Sequence, residues 1–312
     1  MARARGRRPV PPTPGRLGRV RSVRTLLVGC VVASSAAAPV AAQDPDSLRV
    51  VTEPAPLVRG TIARLVLHGF GTAPLGGEAG GEPLHLTVGD DGVVRALIAA
   101  PFGDDDSLRV TLVRAATTGE AETLRLALPV AHGDYRTEQL RVAARYAAPD
   151  SAAAARIQGE VELARAVSRR AHDTPRAWSA PFRRPRPGRI TSVFGTAREF
   201  NGEVASRHLG TDFAGAVGAP VYAANAGVVA LTGDFYLAGH AVYLDHGGGL
   251  VTGYFHLSRV EVTPGAVVQR GQRIGRVGKS GRVTGPHLHW IARYGGITVD
   301  PMSLVRATSD ER

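Results

Sequence analysis

His240-Ala-Val-Tyr-Leu-Asp245 and Leu250-Val-Thr-Gly-Tyr-Phe-His-Leu257 read as two strands, and Asp245-His246-Gly247-Gly248-Gly249 between them reads as their hairpin turn. The same pattern extends outward on both sides, through Pro220–Ala223, Gly227–Leu231, Gly265–Val268 and Ile274–Val277. No stretch after Ala171 has helical periodicity. The spacing predicts a nearly all-β, antiparallel domain over residues 188–306 with a short tail at 307–312. A second β region is expected upstream, over residues 43–146, because Leu65–Phe70, Leu84–Val88, Val93–Ile98 and Leu108–Val113 alternate apolar and polar residues between glycine-rich turns. Short strands at that interval suit a small antiparallel sandwich. Between the two, Ile157, Val161, Ala164 and Val167 recur at helical spacing behind Asp150 or Ser151 as N-cap, and their stripe is expected to dock on a neighbouring domain. The proline-rich run from Pro175 to Gly188 is expected to be irregular, so residues 147–187 read as a helical and Pro-rich linker. No internal repeat of fixed period is present.

With 312 residues, 44% hydrophobic and 21% charged, the chain has the composition of globular material and the length for two domains. Its net charge of +11 suggests nucleic acid until it is located. Eight arginines (Arg3, Arg5, Arg7, Arg8, Arg16, Arg19, Arg21 and Arg24) precede the first acidic residue, Asp44, and without them the balance is 11 − 8 = +3. Nucleic acid is therefore not an expected partner. The arginine-rich start, the apolar run Leu26–Val32 and the small residues ending in Val40-Ala41-Ala42 read as a signal peptide over residues 1–42, cleaved after Ala42. Two alternatives are a membrane anchor, for which the apolar run falls short of roughly 20 residues, and a lipoprotein acylated at Cys30. Stable membrane insertion after processing is not expected. Cys30 is the only cysteine and leaves with the leader, so any metal must be held by histidine and carboxylate.

Seven of the ten histidines lie in the last 141 residues, and three segments space them in ways that suit a metal site. In Arg207-His208-Leu209-Gly210-Thr211-Asp212 an imidazole and a carboxylate are four apart, on one face of an extended chain. In Pro286-His287-Leu288-His289-Trp290 a strand would aim both imidazoles at one face and Leu288 at the core. Tyr254-Phe255-His256-Leu257 again places two polar side chains two apart. A catalytic zinc keeps three protein ligands and an open position for water, and the remaining groups would manage protons; spacing alone does not say which histidines bind the metal. His68, His85 and His132 have no partner at ligand spacing and read as ordinary strand or surface residues. Gly278-Lys279-Ser280 mimics the end of a phosphate loop, but Arg273 stands where its leading glycine belongs, so a turn is expected.

His208-Leu-Gly-Thr-Asp212 together with Thr284-Gly-Pro-His287-Leu-His289 resembles the lysostaphin-like zinc endopeptidases, peptidase family M23. The likeness extends through Gly218–Ala223, Asp245-His246-Gly247, Tyr254–Ser258, Val268–Gln272 and Gly275–Gly281, and covers about residues 188–304. The preceding region resembles the immunoglobulin-like domain and helical linker of some exported members, with Tyr135–Leu140 as a weaker signal. The resemblance implies His208, Asp212 and His289 as ligands to one zinc ion, and His256 and His287 as the catalytic pair. Tyr254, His240 and Arg207 are read as substrate-lining, His240 alternatively as structural, like His246. The implied function is an exported metalloendopeptidase, periplasmic or extracellular, cutting stem peptides or cross-bridges of peptidoglycan. The alternative is a wall-binding or amidase-activator module with the same fold and weak or no catalysis. The sequence carries no signal for oligomeric state.

Overall fold

The computed structural model describes residues 48–70, 74–103, 105–115, 121–140, 143, 146, 149–200 and 204–309, so the expected leader lies outside the described residues. The N-terminal part contributes β1 (Arg49–Glu53), β2 (Leu57–Val58), β3 (Ile62–His68), β4 (Pro74–Ala79), β5 (Glu82–Pro83), β6 (Thr87–Val88), β7 (Val94–Ala99), β8 (Ser107–Ala115) and β9 (Ala121–Ala131). They form two sheets, ordered β1-β3-β7-β6 and β2-β9-β8-β4-β5. The period-two pattern is realised along β8, where Leu108, Val110 and Leu112 point inward while Arg109 stays exposed. They meet Leu65, Leu67, Ile98, Leu124 and Leu128 in a core shared by both sheets. His85 is not isolated: its Nε2 lies 3.0 Å from His172 Nδ1, whose Nε2 reaches Glu82 at 3.0 Å.

The C-terminal part is built from β10 (Thr137–Leu140), β11 (Ile190–Ser192), β12 (Ala197–Phe200), β13 (Val204–Arg207), β14 (Thr211–Ala214), β15 (Pro220–Tyr222), β16 (Gly227–Phe235), β17 (Gly239–Gly247), β18 (Leu250–Val260), β19 (Val267–Val268), β20 (Arg273–Val277), β21 (His287–Tyr294) and β22 (Ile297–Val299). Its main sheet runs β11-β14-β21-β18-β17-β16-β19, with β15, β20 and β22 attached to that path. The β17–β18 hairpin turns through Gly248 and Gly249 at φ 59° and 80°, the left-handed conformation that a two-residue turn needs at both positions. One face of the sheet packs Phe213, Leu244, Tyr254, Leu288 and Trp290 into the larger core. The other face lies under α1 (Ser151–Arg170).

Asp150 caps that helix, its Oδ1 accepting from Ala153 N at 2.8 Å. Only the C-terminal half of the expected stripe is buried: Ala164 and Val167 pack with Tyr243, Val251, Phe255 and Ile291, whereas Val161 is 40% exposed. The proline-rich run has no helix or strand, as expected, yet Trp178 and Phe182 are buried in the main core and Phe182 N donates to Thr308 Oγ1 at 3.0 Å. It is part of the domain rather than a spacer. The expected tail at 307–312 is, through Ser309, the end of α2 (Pro301–Ser309), which buries Leu304, Ala307 and Thr308. Asp300 caps it, accepting from Met302 N at 2.9 Å, and Pro301 occupies the first position, where a missing N–H costs nothing. Two bonds from this corner, Asp300 N to Gly60 O at 2.7 Å and Ile62 N to Ser303 Oγ at 3.0 Å, tie the two halves together.

His246 is not in the turn but inside the core, with Nδ1 2.6 Å from Ala226 O and Nε2 2.7 Å from Thr252 Oγ1. Burial pushes its pKa down to about 4 from 6.5. The unfolded chain therefore binds more protons between those values, and folding stability falls as pH drops from 6.5 toward 4, by up to roughly 3 kcal/mol from this one residue. Denaturant midpoints at pH 7 and pH 4.5 are expected to fall less steeply in His246→Gln than in the wild type. Parallel loss in both would mean that another group carries the acid sensitivity.

Candidate metal centre

The site sits on the face of the sheet turned toward α1. In the β14–β21 register Asp212 opposes His289 and Phe213 opposes Leu288, so Asp212, His287 and His289 share one face while Phe213 and Leu288 enter the core. His208 comes from the irregular segment before β14. Three atoms converge: His208 Nε2 to Asp212 Oδ1 is 3.0 Å, His208 Nε2 to His289 Nδ1 is 2.9 Å and His289 Nδ1 to Asp212 Oδ1 is 2.7 Å. Among the described residues these three form the only group of histidine, cysteine or acidic side chains placed to hold a metal ion.

The donor set fits zinc. His208 Nδ1–H donates to Val193 O at 2.9 Å, which fixes the tautomer and turns the Nε2 lone pair toward Asp212 and His289. Asp212 Oδ2 is taken by Arg198 Nη2 at 2.8 Å, leaving Oδ1 for the cluster. Two imidazole nitrogens and a carboxylate oxygen within 3 Å of one another crowd lone pairs that one proton cannot satisfy, and a cation with bonds of about 2.0–2.2 Å can touch all three. Burial raises the Asp212 carboxyl, but the charges and hydrogen bonds of His289 and His208 outweigh it and hold the group well below the usual carboxylate range. Burial pushes His289 down to about 4, against the opposing pull of Asp212, so at neutral pH its lone pair is free for a metal. Phe255 stacks on His289 with ring centres 5.5 Å apart, and a Cβ on Gly210 would lie 2.6 Å from His289 Cε1, so glycine there makes room for the ring.

His256 and His287 stand beside this group, with ring centres 4.9 Å apart and His256 5.8 Å from His289. His287 Nε2 is 3.7 Å from Asp212 Oδ1. By strand alternation His256 belongs with Tyr254 on the core face, but its backbone adopts φ 61°, the only positive φ at a non-glycine among the described residues. Ala241 of β17 faces both Phe255 and His256, since His240 pairs with Leu257 and Val242 with Tyr254. This is a β-bulge, and it turns the imidazole to the side of His289. Each of the two rings donates Nδ1–H to a carbonyl at 2.8 Å, Ser280 O for His256 and Gly285 O for His287. Both therefore carry an unprotonated Nε2 when neutral. Burial, reinforced by His289 and His287, holds His256 well below its ordinary pKa.

Two residues read as substrate-lining are placed elsewhere. Tyr254 is wholly buried, its hydroxyl accepting from Ala224 N at 2.8 Å, because without the bulge its side chain follows the core face. Arg207 donates to Gly195 O at 3.1 Å and lies over the Phe102 ring at 4.4 Å, turned toward the N-terminal half by that aromatic face. His240 is exposed at the rim, and its backbone N donates to Ser280 Oγ at 2.9 Å. Three supporting residues escaped the sequence reading: Arg198, Ser192, whose hydroxyl is 3.1 Å from His208 Nδ1, and Ser280. Ser280 lay in plain view after the Gly278 turn; a lone arginine or serine in a loop gives no periodic signal.

Residues 206–301 match the family described as Peptidase family M23. Over 95 residues the chain is 48% identical to peptidoglycan DD-endopeptidase ShyA of Vibrio cholerae, a stretch covering 30% of this chain and 22% of that protein. Over 122 residues it is 39% identical to DD-carboxypeptidase/endopeptidase Mpg of Neisseria meningitidis, covering 39% of this chain and 28% of that protein. The matched stretch thus spans less than a third of either relative. A solved structure of a putative peptidase M23 from Pseudomonas aeruginosa is similar with a TM-score of 0.63 at 28% identity, over 80% of this chain and 95% of that one, so the likeness of fold reaches into the N-terminal half. The C-terminal part of the chain, over residues 206–301, is thus a Peptidase family M23 domain.

Proposed function

We propose that this protein is an exported zinc metalloendopeptidase that hydrolyses peptide cross-links of bacterial peptidoglycan. The observation that carries the reading is the convergence of His208, Asp212 and His289 with His256 and His287 beside them, five groups whose retention argues against a binding or activator module. Zinc, when bound, supplies Lewis acidity to a water and to the scissile carbonyl. His208, Asp212 and His289 would hold it. With Nδ1–H fixed on a carbonyl, His256 and His287 each present Nε2 as a proton acceptor. The ring that takes the water's proton becomes a donor at Nε2, able to stabilise the oxyanion or protonate the departing amine.

The relatives' names support the substrate: ShyA is a peptidoglycan DD-endopeptidase. Stem peptides or cross-bridges are the substrate class. Export follows from the leader pattern of residues 1–42 and from a substrate outside the cytoplasm; among the described residues no helix is long and apolar enough to cross a membrane. The immunoglobulin-like assignment of residues 43–146 is supported by the order β1-β3-β7-β6 and β9-β8-β4-β5, which corresponds to the ABED and GFC sheets of such sandwiches.

Digestion of purified sacculi by residues 43–312 tests the reading. Cross-linked fragments are expected to shift to monomers by mass, to persist after chelation and to disappear again when zinc is restored. Release that continues after complete metal removal, or none at zinc saturation, would reject it.

A further inference from the structure

The strand β10 belongs to the segment that leaves the N-terminal sandwich, yet it pairs in parallel with β12 beside the metal centre, with Glu138 in register with Arg198. Gln139 Nε2 donates to Glu199 Oε2 at 3.3 Å on the same ladder. Glu138 Oε2 accepts from Ser192 Oγ at 3.2 Å and lies 3.7 Å from Arg198 Nε, a buried donor with no hydrogen-bond partner among the described residues. The next link reaches the ligands. Ser192 Oγ is 3.1 Å from His208 Nδ1 and accepts from Arg198 Nη2 at 3.1 Å, while the same Nη2 holds Asp212 Oδ2 at 2.8 Å.

A hydroxyl has one proton and two lone pairs. With its proton directed to Glu138, Ser192 turns one lone pair toward Arg198 and the other toward His208 Nδ1–H, a donor it shares with Val193 O. Without that acceptor the hydroxyl is free to rotate and the guanidinium loses its counter-charge on the side away from Asp212. We propose that Glu138 is a positioning residue of the metal centre: through Ser192 and Arg198 it sets the orientation of His208 and Asp212. The segment that leaves the N-terminal sandwich thereby supplies part of the shell that holds the ion. The inference rests on the zinc reading of the site, but its readout does not require peptide cleavage.

The test measures zinc affinity by chelator competition, and the visible spectrum of the cobalt-substituted protein, for residues 43–312 carrying Glu138→Ala, Glu138→Gln, Ser192→Ala or Glu138→Ala with Ser192→Ala. Glu138→Ala is expected to weaken zinc binding about 10–100-fold, the usual effect of losing an outer-shell partner. Glu138→Gln keeps an oxygen for the serine hydroxyl and is expected to lose less, with a shifted cobalt spectrum. The double variant is expected to bind no more weakly than the worse single one, because both act on the same link. Wild-type affinity and an unaltered cobalt spectrum in Glu138→Ala would overturn the proposal, as would losses that add in full. Should Glu138→Ala fail to fold, the isosteric Glu138→Gln decides by the same spectrum. Failure of the wild type to bind zinc would instead sink the metalloendopeptidase reading.

Discussion

His289→Ala is expected to abolish both zinc binding and hydrolysis. The substitution removes one of three ligand atoms and leaves Asp212 Oδ1 and His208 Nε2, 3.0 Å apart, as a two-point site. It also vacates the space beneath Phe255, whose ring stacks on the imidazole. A bound zinc contributes several kcal/mol to stabilising the transition state, so at about 1.4 kcal/mol per decade turnover should fall on the order of 10³-fold or more. Metal content after gel filtration and fragment release from sacculi are the paired measurements. Zinc retained at one ion per chain, with activity near wild type, would show that His289 is not a ligand.

His287→Ala is expected to separate those two readouts. Its Nδ1–H is held by Gly285 O and its Nε2 stands 3.7 Å from Asp212 Oδ1, beside the cluster rather than within it. Zinc should stay bound while kcat drops by about 10²–10⁴-fold, the range for a lost general acid or base. His256→Asn should behave alike, asparagine being chosen because it tolerates the left-handed backbone at φ 61° that most side chains resist. Equal zinc loss in His287→Ala and His289→Ala would merge the roles assigned to the two histidines.

What the sequence made legible follows its periodicities. Strand alternation placed His287 and His289 on one face and Leu288 in the core, because β21 is regular from end to end. The same rule misplaced Tyr254 relative to His256, since one extra residue at the bulge inverts the alternation locally and nothing in Tyr-Phe-His-Leu announces it. The C-terminal helix was missed although Asp300-Pro301 is an N-cap followed by proline at the first turn, a signal outweighed by only nine residues of weak pattern. Arg198 and Glu138 were invisible for another reason. They meet through a parallel pairing between segments 60 residues apart in sequence, a separation at which composition and spacing say nothing about contact.

Trp178 and Phe182 lie upstream of the family segment at residues 206–301, and Ile62 and Ala99 upstream of them again, yet all four belong to the same buried core as Trp290. The stretch that heredity recognises as a unit is therefore smaller than the body that water recognises as one. A recombination event that moved only the recognisable stretch into another gene would carry the reactive groups but expose the oily underside they rest on. Successful transfer demands the proline-rich strap and either the sandwich corner at Gly60–Ile62 or a new host surface shaped to replace it.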